Sequence, residues 1–183
     1  MPDIVKLIKA QHRQVDDLLE QAQSEGADVR SLLQQVSDLL LPHSQAEESF
    51  VYPAIRERAP EETDEVHDGV AEHHHIEQLL RELRADDPDG PGFDGKLAAM
   101  VGELRHHVEE EEQDLLPVLS EKASDEERER LGVRFAAETG SSDVTASSSD
   151  DATRAELYEK ARQQEVPGRS KMSKEELADA VDG

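Results

Sequence analysis

Apolar residues recur at three- and four-residue intervals along most of the chain, the period of helices with one buried face. From Pro2 to about Ser24 the stripe is Ile4, Leu7, Ile8, Val15, Leu18, Leu19 and Ala22, with Pro2 suited to a first turn and Gly26 to a stop. A second helix is expected from about Asp28 to Ala59, where positions 36, 40, 43, 47, 50 and 54 share one face. Pro42 and Pro53 should bend it, because each removes a backbone donor and crowds the preceding turn. A third helix is expected from about Glu61 to Arg84, carrying Val66, Val70, Ile76, Leu80 and Leu83. The Pro/Gly-rich stretch Asp86 to Gly95 reads as a loop. A fourth helix, about Lys96 to Lys122, presents Leu97, Met100, Val101, Leu104, Leu115 and Val118, and a short amphipathic helix from about Asp125 to Ala137 closes the domain.

Six polar residues lie on these apolar stripes. His12 falls between Ile8 and Val15, and His73 among Val70 and Ile76. His43 and Glu47 continue the stripe of the second helix, and His107 and Glu111 that of the fourth. Four residues is just over one helical turn, so each His/Glu pair points from one face. The two halves repeat: HSQAEESFVYP (His43 to Pro53) matches HVEEEEQDLLP (His107 to Pro117), and HRQVDDLL (His12 to Leu19) matches HHHIEQLL (His73 to Leu80). The expected fold is therefore all-α, an up-down-up-down four-helix bundle with a pseudo-two-fold repeat, its polar residues meeting near the axis.

A lone histidine on an apolar face is ordinarily a hydrogen-bonded core residue. Four of them, one per helix and accompanied by two core-facing glutamates, are a different case. Burying an ionised carboxylate costs several kcal/mol or more unless an opposite charge accompanies it. Bound cations supply that charge, so the candidate metal ligands are His12, His43, Glu47, His73, His107 and Glu111. Glu77, one turn after His73, is a candidate additional ligand or partner of a ligand, as is His75 at the edge of the core. His67, His74 and His106 lie off the stripes and read as solvated, and Glu48 and Glu112, turned about 100° from their neighbours, read likewise. Imidazole with carboxylate suits iron, and also manganese or zinc.

Composition narrows the setting. With 44 acidic and 20 basic residues the formal charge is −24, which opposes binding of nucleic acid or anionic lipid by the molecule as a whole. Cysteine is absent, so disulfides, thiolate zinc sites and iron–sulfur clusters are excluded. Aromatic residues are 3% and tryptophan is missing, too little to fill a β-sandwich. No apolar run approaches the roughly 20 residues of a membrane span, and the N-terminus lacks a secretory pattern, so a cytoplasmic location is expected.

The spacing His12 … His43-x-x-x-Glu47 … His73 … His107-x-x-x-Glu111, with the strings EESFVYPAIRE and RHHVEEEEQDLLP, resembles the hemerythrin-like HHE cation-binding family over about residues 1–137. The resemblance implies a non-haem di-iron centre, two iron ions ligated by the four histidines and bridged by Glu47 and Glu111. Hemerythrin proper has a further histidine where this chain has Glu77, which argues against simple reversible oxygen carriage. Family members bind or sense dioxygen, decompose peroxide, respond to nitric oxide with repair of iron centres, or regulate by iron. The repair proteins usually carry a cysteine-bearing region that this sequence lacks.

Residues 138–151, rich in Ser, Thr and Asp, read as a flexible linker. Residues 152–183 read as a small helical hairpin around Pro167-Gly168 that resembles the N-terminal module of transcription terminator Rho and SAP-like modules. In such a module Arg169, Lys171 and Lys174 would contact nucleic acid, the alternative being a hairpin for protein contact or solubility. The functional expectation is a di-iron protein that binds or reduces dioxygen or hydrogen peroxide, ahead of nitric oxide, in oxidative-stress or iron response; as an enzyme it would be a peroxide-decomposing, catalase-like oxidoreductase. The competing expectation is an iron- or oxygen-sensing regulatory protein whose tail contacts nucleic acid or a protein partner.

Overall fold

The computed structural model describes residues 2–140. Most of the expected linker, the C-terminal module and Arg169, Lys171 and Lys174 lie outside the described residues. Within them every regular element is helical: α1 (Ile4–Ala22), α2 (Val29–Ala46), α3 (Tyr52–Arg58), α4 (Thr63–Ala85), α5 (Phe93–Glu110), α6 (Leu116–Lys122) and α7 (Asp125–Thr139). A π-helical turn, Glu47–Val51, joins α2 to α3, and a second, Glu111–Leu115, joins α5 to α6. The result is an all-helical bundle in which α1 packs on α2, α4 on α5 and α2 on α4, while α7 lies across α1 and α2.

Local chemistry sets the ends. Asp3 caps α1 by accepting from the Val5 and Lys6 amides, Asp28 caps α2 through the Ser31 amide, and Ser124 caps α7 through the Glu127 amide. Gly92, at φ 87°, turns the chain into α5 in a backbone conformation that a side chain would strain. Helix α5 starts at Phe93, inside the stretch expected to be loop, because the Phe93 ring is buried and anchors the first turn.

Pro42 does not break α2, which runs through it to Ala46. The helix changes character ahead of Pro53 instead, and equivalently ahead of Pro117. A proline clashes with the carbonyl four residues back; widening that turn to π moves the carbonyl aside, so the Tyr52 amide bonds Glu47 and the Leu116 amide bonds Glu111. The extra residue also shifts the buried face. Phe50, Val51 and Tyr52 are all buried and the stripe continues at Ile55, with Ala54 only partly buried against the core, not at position 54 as the unbroken period required.

The core forms two apolar clusters. One gathers Ile4, Ile8, Ala46, Val51, Ile55 and Leu116, the other Leu19, Leu33, Val36, Ile76, Leu80 and Met100. His12, His43, His73 and His107 each sit in sequence between a member of one cluster and a member of the other, so the polar residues form a layer closed by hydrocarbon above and below.

Candidate metal centre

Four long helices contribute one histidine each to this layer: His12 from α1, His43 from α2, His73 from α4 and His107 from α5. Glu47 and Glu111 are the first residues of the two π turns. All six are buried, the glutamates at 0% and 1% exposure. Other carboxylates of the domain lie in solvated ion pairs, Asp86 with Lys96 for example.

Each imidazole is tied outward through Nδ1. His12 bonds Glu112 Oε1 at 3.0 Å, His43 bonds Gln11 Oε1 at 2.8 Å, His73 bonds Glu48 Oε1 at 3.1 Å and His107 bonds Glu72 Oε2 at 2.9 Å. Carboxylate and amide oxygens only accept, so the hydrogen is on Nδ1 in every case. In the neutral ring this leaves the Nε2 lone pair facing inward, the tautomer a metal ligand needs.

The inward atoms are crowded in a way hydrogen bonding does not explain. His43 Nε2 lies 3.0 Å from Glu47 Oε1, His73 Nε2 3.3 Å from Glu47 Oε2, and His12 Nε2 3.2 Å from Glu111 Oε2. These are ion-pair distances, yet both oxygens of Glu47, both of Glu111 and Nε2 of His12 have no hydrogen-bond partner, because the angles are wrong. His73 Nε2 and His107 Nε2 face each other at 3.0 Å. With both Nδ1 atoms protonated, two lone pairs meet there unless a proton or a cation lies between them. Two nitrogens held by one cation would lie roughly 3 Å apart, close to the separation found. The donor atoms fall into two groups, His12, His43, Glu47 and Glu111, and Glu47, His73 and His107, with Glu47 in both. The residues fit a pair of cations.

Electrostatics agree. Burial pushes His12 down, but Glu111 and Glu112 more than offset it and raise its pKa to about 9. His73 behaves the same way: burial lowers it, Glu47 and Glu48 raise it, and it reaches about 10. Burial would raise Glu47, but His43 and His73 hold it well below the usual carboxylate range. The layer thus draws in positive charge, as protons when no metal is bound.

Two aromatic side chains close the layer. The Tyr52 ring lies parallel on His73, centroids 5.7 Å apart, and its buried hydroxyl has no hydrogen-bond partner. Burial first, then Glu111 and Glu47, hold the Tyr52 pKa well above its ordinary value, so the hydroxyl keeps its proton. Phe135 of α7, fully buried, meets His43 edge-on at 5.5 Å.

All six residues expected from their place on the apolar stripes meet here. Glu77 is half-buried on α4 and His75 exposed, and neither belongs to the two donor groups; His67, His74 and His106 are exposed. Glu48 and Glu112, expected to be solvated, are instead about a quarter exposed (29% and 26%) and hold His73 and His12. Sequence reasoning passed over Gln11 and Glu72 altogether. The repeat held the signal: Gln11 and Glu72 precede equivalent histidines, and Glu48 and Glu112 follow equivalent glutamates. Each of them serves an imidazole on another helix, which helical periodicity does not reveal.

The described residues contain no helix long and apolar enough to cross a membrane. Among curated proteins the chain is similar to one from Nostoc sp. named a DNA nickase, 26% identical over 138 residues; the match covers 74% of this chain and 38% of that protein's length. No solved structure matches the chain. The family model of the hemerythrin HHE cation-binding domain matches residues 3–119, which takes in all four histidines and both glutamates. The chain belongs to the hemerythrin HHE cation-binding family.

Proposed function

We propose that the protein holds two iron ions in this layer and binds or reduces a small oxidant there, dioxygen or hydrogen peroxide ahead of nitric oxide. The observation that carries the reading is the inward set itself: two fully buried carboxylates without a hydrogen-bond donor, faced by imidazoles whose Nδ1 hydrogens are committed outward. His12, His43, Glu47 and Glu111 would hold one ion, and His73, His107 and Glu47 the other, with Glu47 common to both groups. Nitrogen and oxygen donors without thiolate suit iron, with manganese and zinc as the competitors. Iron would supply the electrons for oxidant chemistry.

The chain's own residues do the rest. Glu112, Gln11, Glu48 and Glu72 fix the ring orientations. Leucine, isoleucine and valine above and below exclude water, and Phe135 seals the His43 side. The second donor group has three members against four in the first, so the His73/His107 side is where an outside ligand would complete the set. The Tyr52 hydroxyl, stacked on His73 and still protonated, is available to donate to it.

A sensing or regulatory role is the competing class, and the similarity to a protein named a DNA nickase raises DNA as a target. The charge of −24 stands against DNA binding by the molecule as a whole. Metal analysis after expression in iron-supplemented medium, followed by peroxide turnover compared with free iron, separates the readings. Two irons per chain with turnover above free iron supports the enzyme; two irons without it leaves the sensor; a chain without metal sinks both.

A further inference from the structure

Beside the buried layer, Glu65, Gly69, Glu72, Glu110, Glu111 and Asp114 line a narrow cleft of about 10 Å³, the size of a single water or a stripped cation. Glu65 and Asp114 are exposed, Glu72 and Glu110 half-buried, and Glu111 is 1% exposed, so the cleft connects solvent-facing carboxylates with a buried one. No lysine or arginine lines it. Partial desolvation and then Asp68, Asp114 and Glu110 push the Glu65 carboxyl above its ordinary value.

Two further features make this more than an acidic patch. Glu111 lines the cleft, and neither of its oxygens has a hydrogen-bond partner. Donor atoms of Glu72, His106 and Glu110 lie within 4.8 Å of one another, and Glu72 and Glu110 belong to the cleft lining. His106 is exposed, with Nε2 3.3 Å from Glu110 Oε1. Gly69 sits in the second turn of α4, where a Cβ would come 3.1 Å from the Tyr52 hydroxyl, so the missing side chain leaves both the tyrosine and the cleft their space.

We propose that this cleft is the inlet for the divalent cations of the buried centre, with Glu72, His106 and Glu110 as a transit site at its mouth and Glu111 as the receiving carboxylate. The inference rests on the metal-centre reading above. A negative cleft with low-dielectric walls concentrates cations and accelerates their capture, by an amount that salt suppresses.

The test uses the full chain, stripped of metal with a chelator and mixed rapidly with cobalt(II), uptake being followed by cobalt absorption. The inlet variant is Glu65→Gln with Asp114→Asn; the control, with the same change in charge, is Asp87→Asn with Asp89→Asn in the loop before α5. At low ionic strength the inlet variant should load about 3–10-fold more slowly than wild type and control. High salt should close the gap, and all three proteins should bind the same final number of ions. Equal loading rates would overturn the inlet while leaving the metal centre intact, and so would a smaller final number of ions in the inlet variant, since that would make these residues resident ligands. Absence of cobalt uptake by the wild type would overturn the metal-centre reading and the inlet with it.

Discussion

The sharpest perturbation is Glu112→Gln. It keeps an oxygen to accept the His12 Nδ1 hydrogen, so geometry and tautomer survive, while the charge is lost, and with it the ion pair to Lys9. His12 rises from 6.5 to about 9 against the effect of burial, with Glu111 and Glu112 the main causes. That shift corresponds to about 3 kcal/mol of interaction between the protonated ring and its surroundings. Burial has already offset part of what the carboxylates contribute, so dividing the net shift between them gives ~1–2 kcal/mol as a lower bound for Glu112. A group whose folded pKa lies above its unfolded value contributes stability that is complete below the unfolded pKa and vanishes as pH rises through the folded one. The metal-free variant should therefore be less stable than wild type by at least about 1–2 kcal/mol at pH 6, and near pH 10.5, above the folded value, the gap should narrow to what the partly exposed Lys9–Glu112 ion pair contributes. Losing the charge behind a metal-bound imidazole should also weaken metal affinity about 10–100-fold. Gln11 is the internal control, because it stands behind His43 where the repeat has Glu72 behind His107. Gln11→Glu should move affinity in the opposite direction. Chemical denaturation of the metal-free protein at both pH values, with cobalt titration at pH 7, measures all of this. A Glu112→Gln penalty that is the same at pH 6 and pH 10.5, or unchanged cobalt affinity, would refute the argument.

Glu111→Ala should lose iron, since it removes a carboxylate from the donor group around His12 and His43, and metal analysis of the purified variant checks it. Tyr52→Phe deletes a buried hydroxyl without a partner, so the metal-free protein should be unchanged or more stable by about 1 kcal/mol. The same variant should keep its iron but bind azide more weakly, read by absorption. Phe135→Ala should cost about 3–5 kcal/mol in denaturant unfolding, because it empties a fully buried ring site against His43. Below pH 4.5 the metal-free protein should lose the contribution of Glu47, whose folded pKa is depressed; a flat acid limb in a stability–pH profile would count against its burial as an ion.

What could be read from the sequence was whatever repeats along a single helix. The 3.6-residue period placed His12, His43, Glu47, His73, His107 and Glu111 on buried stripes, and the duplicated motif paired the halves. Periodicity measures rotation about one axis, so it locates a residue on its own helix without naming its neighbour on the next. For that reason Glu48 and Glu112 looked solvated, although each reaches across to an imidazole of another helix. The π turns escaped for a related cause: the prolines were visible, but only the packed structure shows how the crowded turn relaxes.

The sequence by itself determined the helical class, the duplication and which polar residues face inward, because each follows from local spacing and from the cost of burying charge. The tertiary structure decided that the donors fall into two groups sharing Glu47, that every Nδ1 is committed outward, that one extra residue per π turn carries Tyr52 inside, and that α7 delivers Phe135 to His43. Those facts depend on distances between helices, which arise from packing all of them at once.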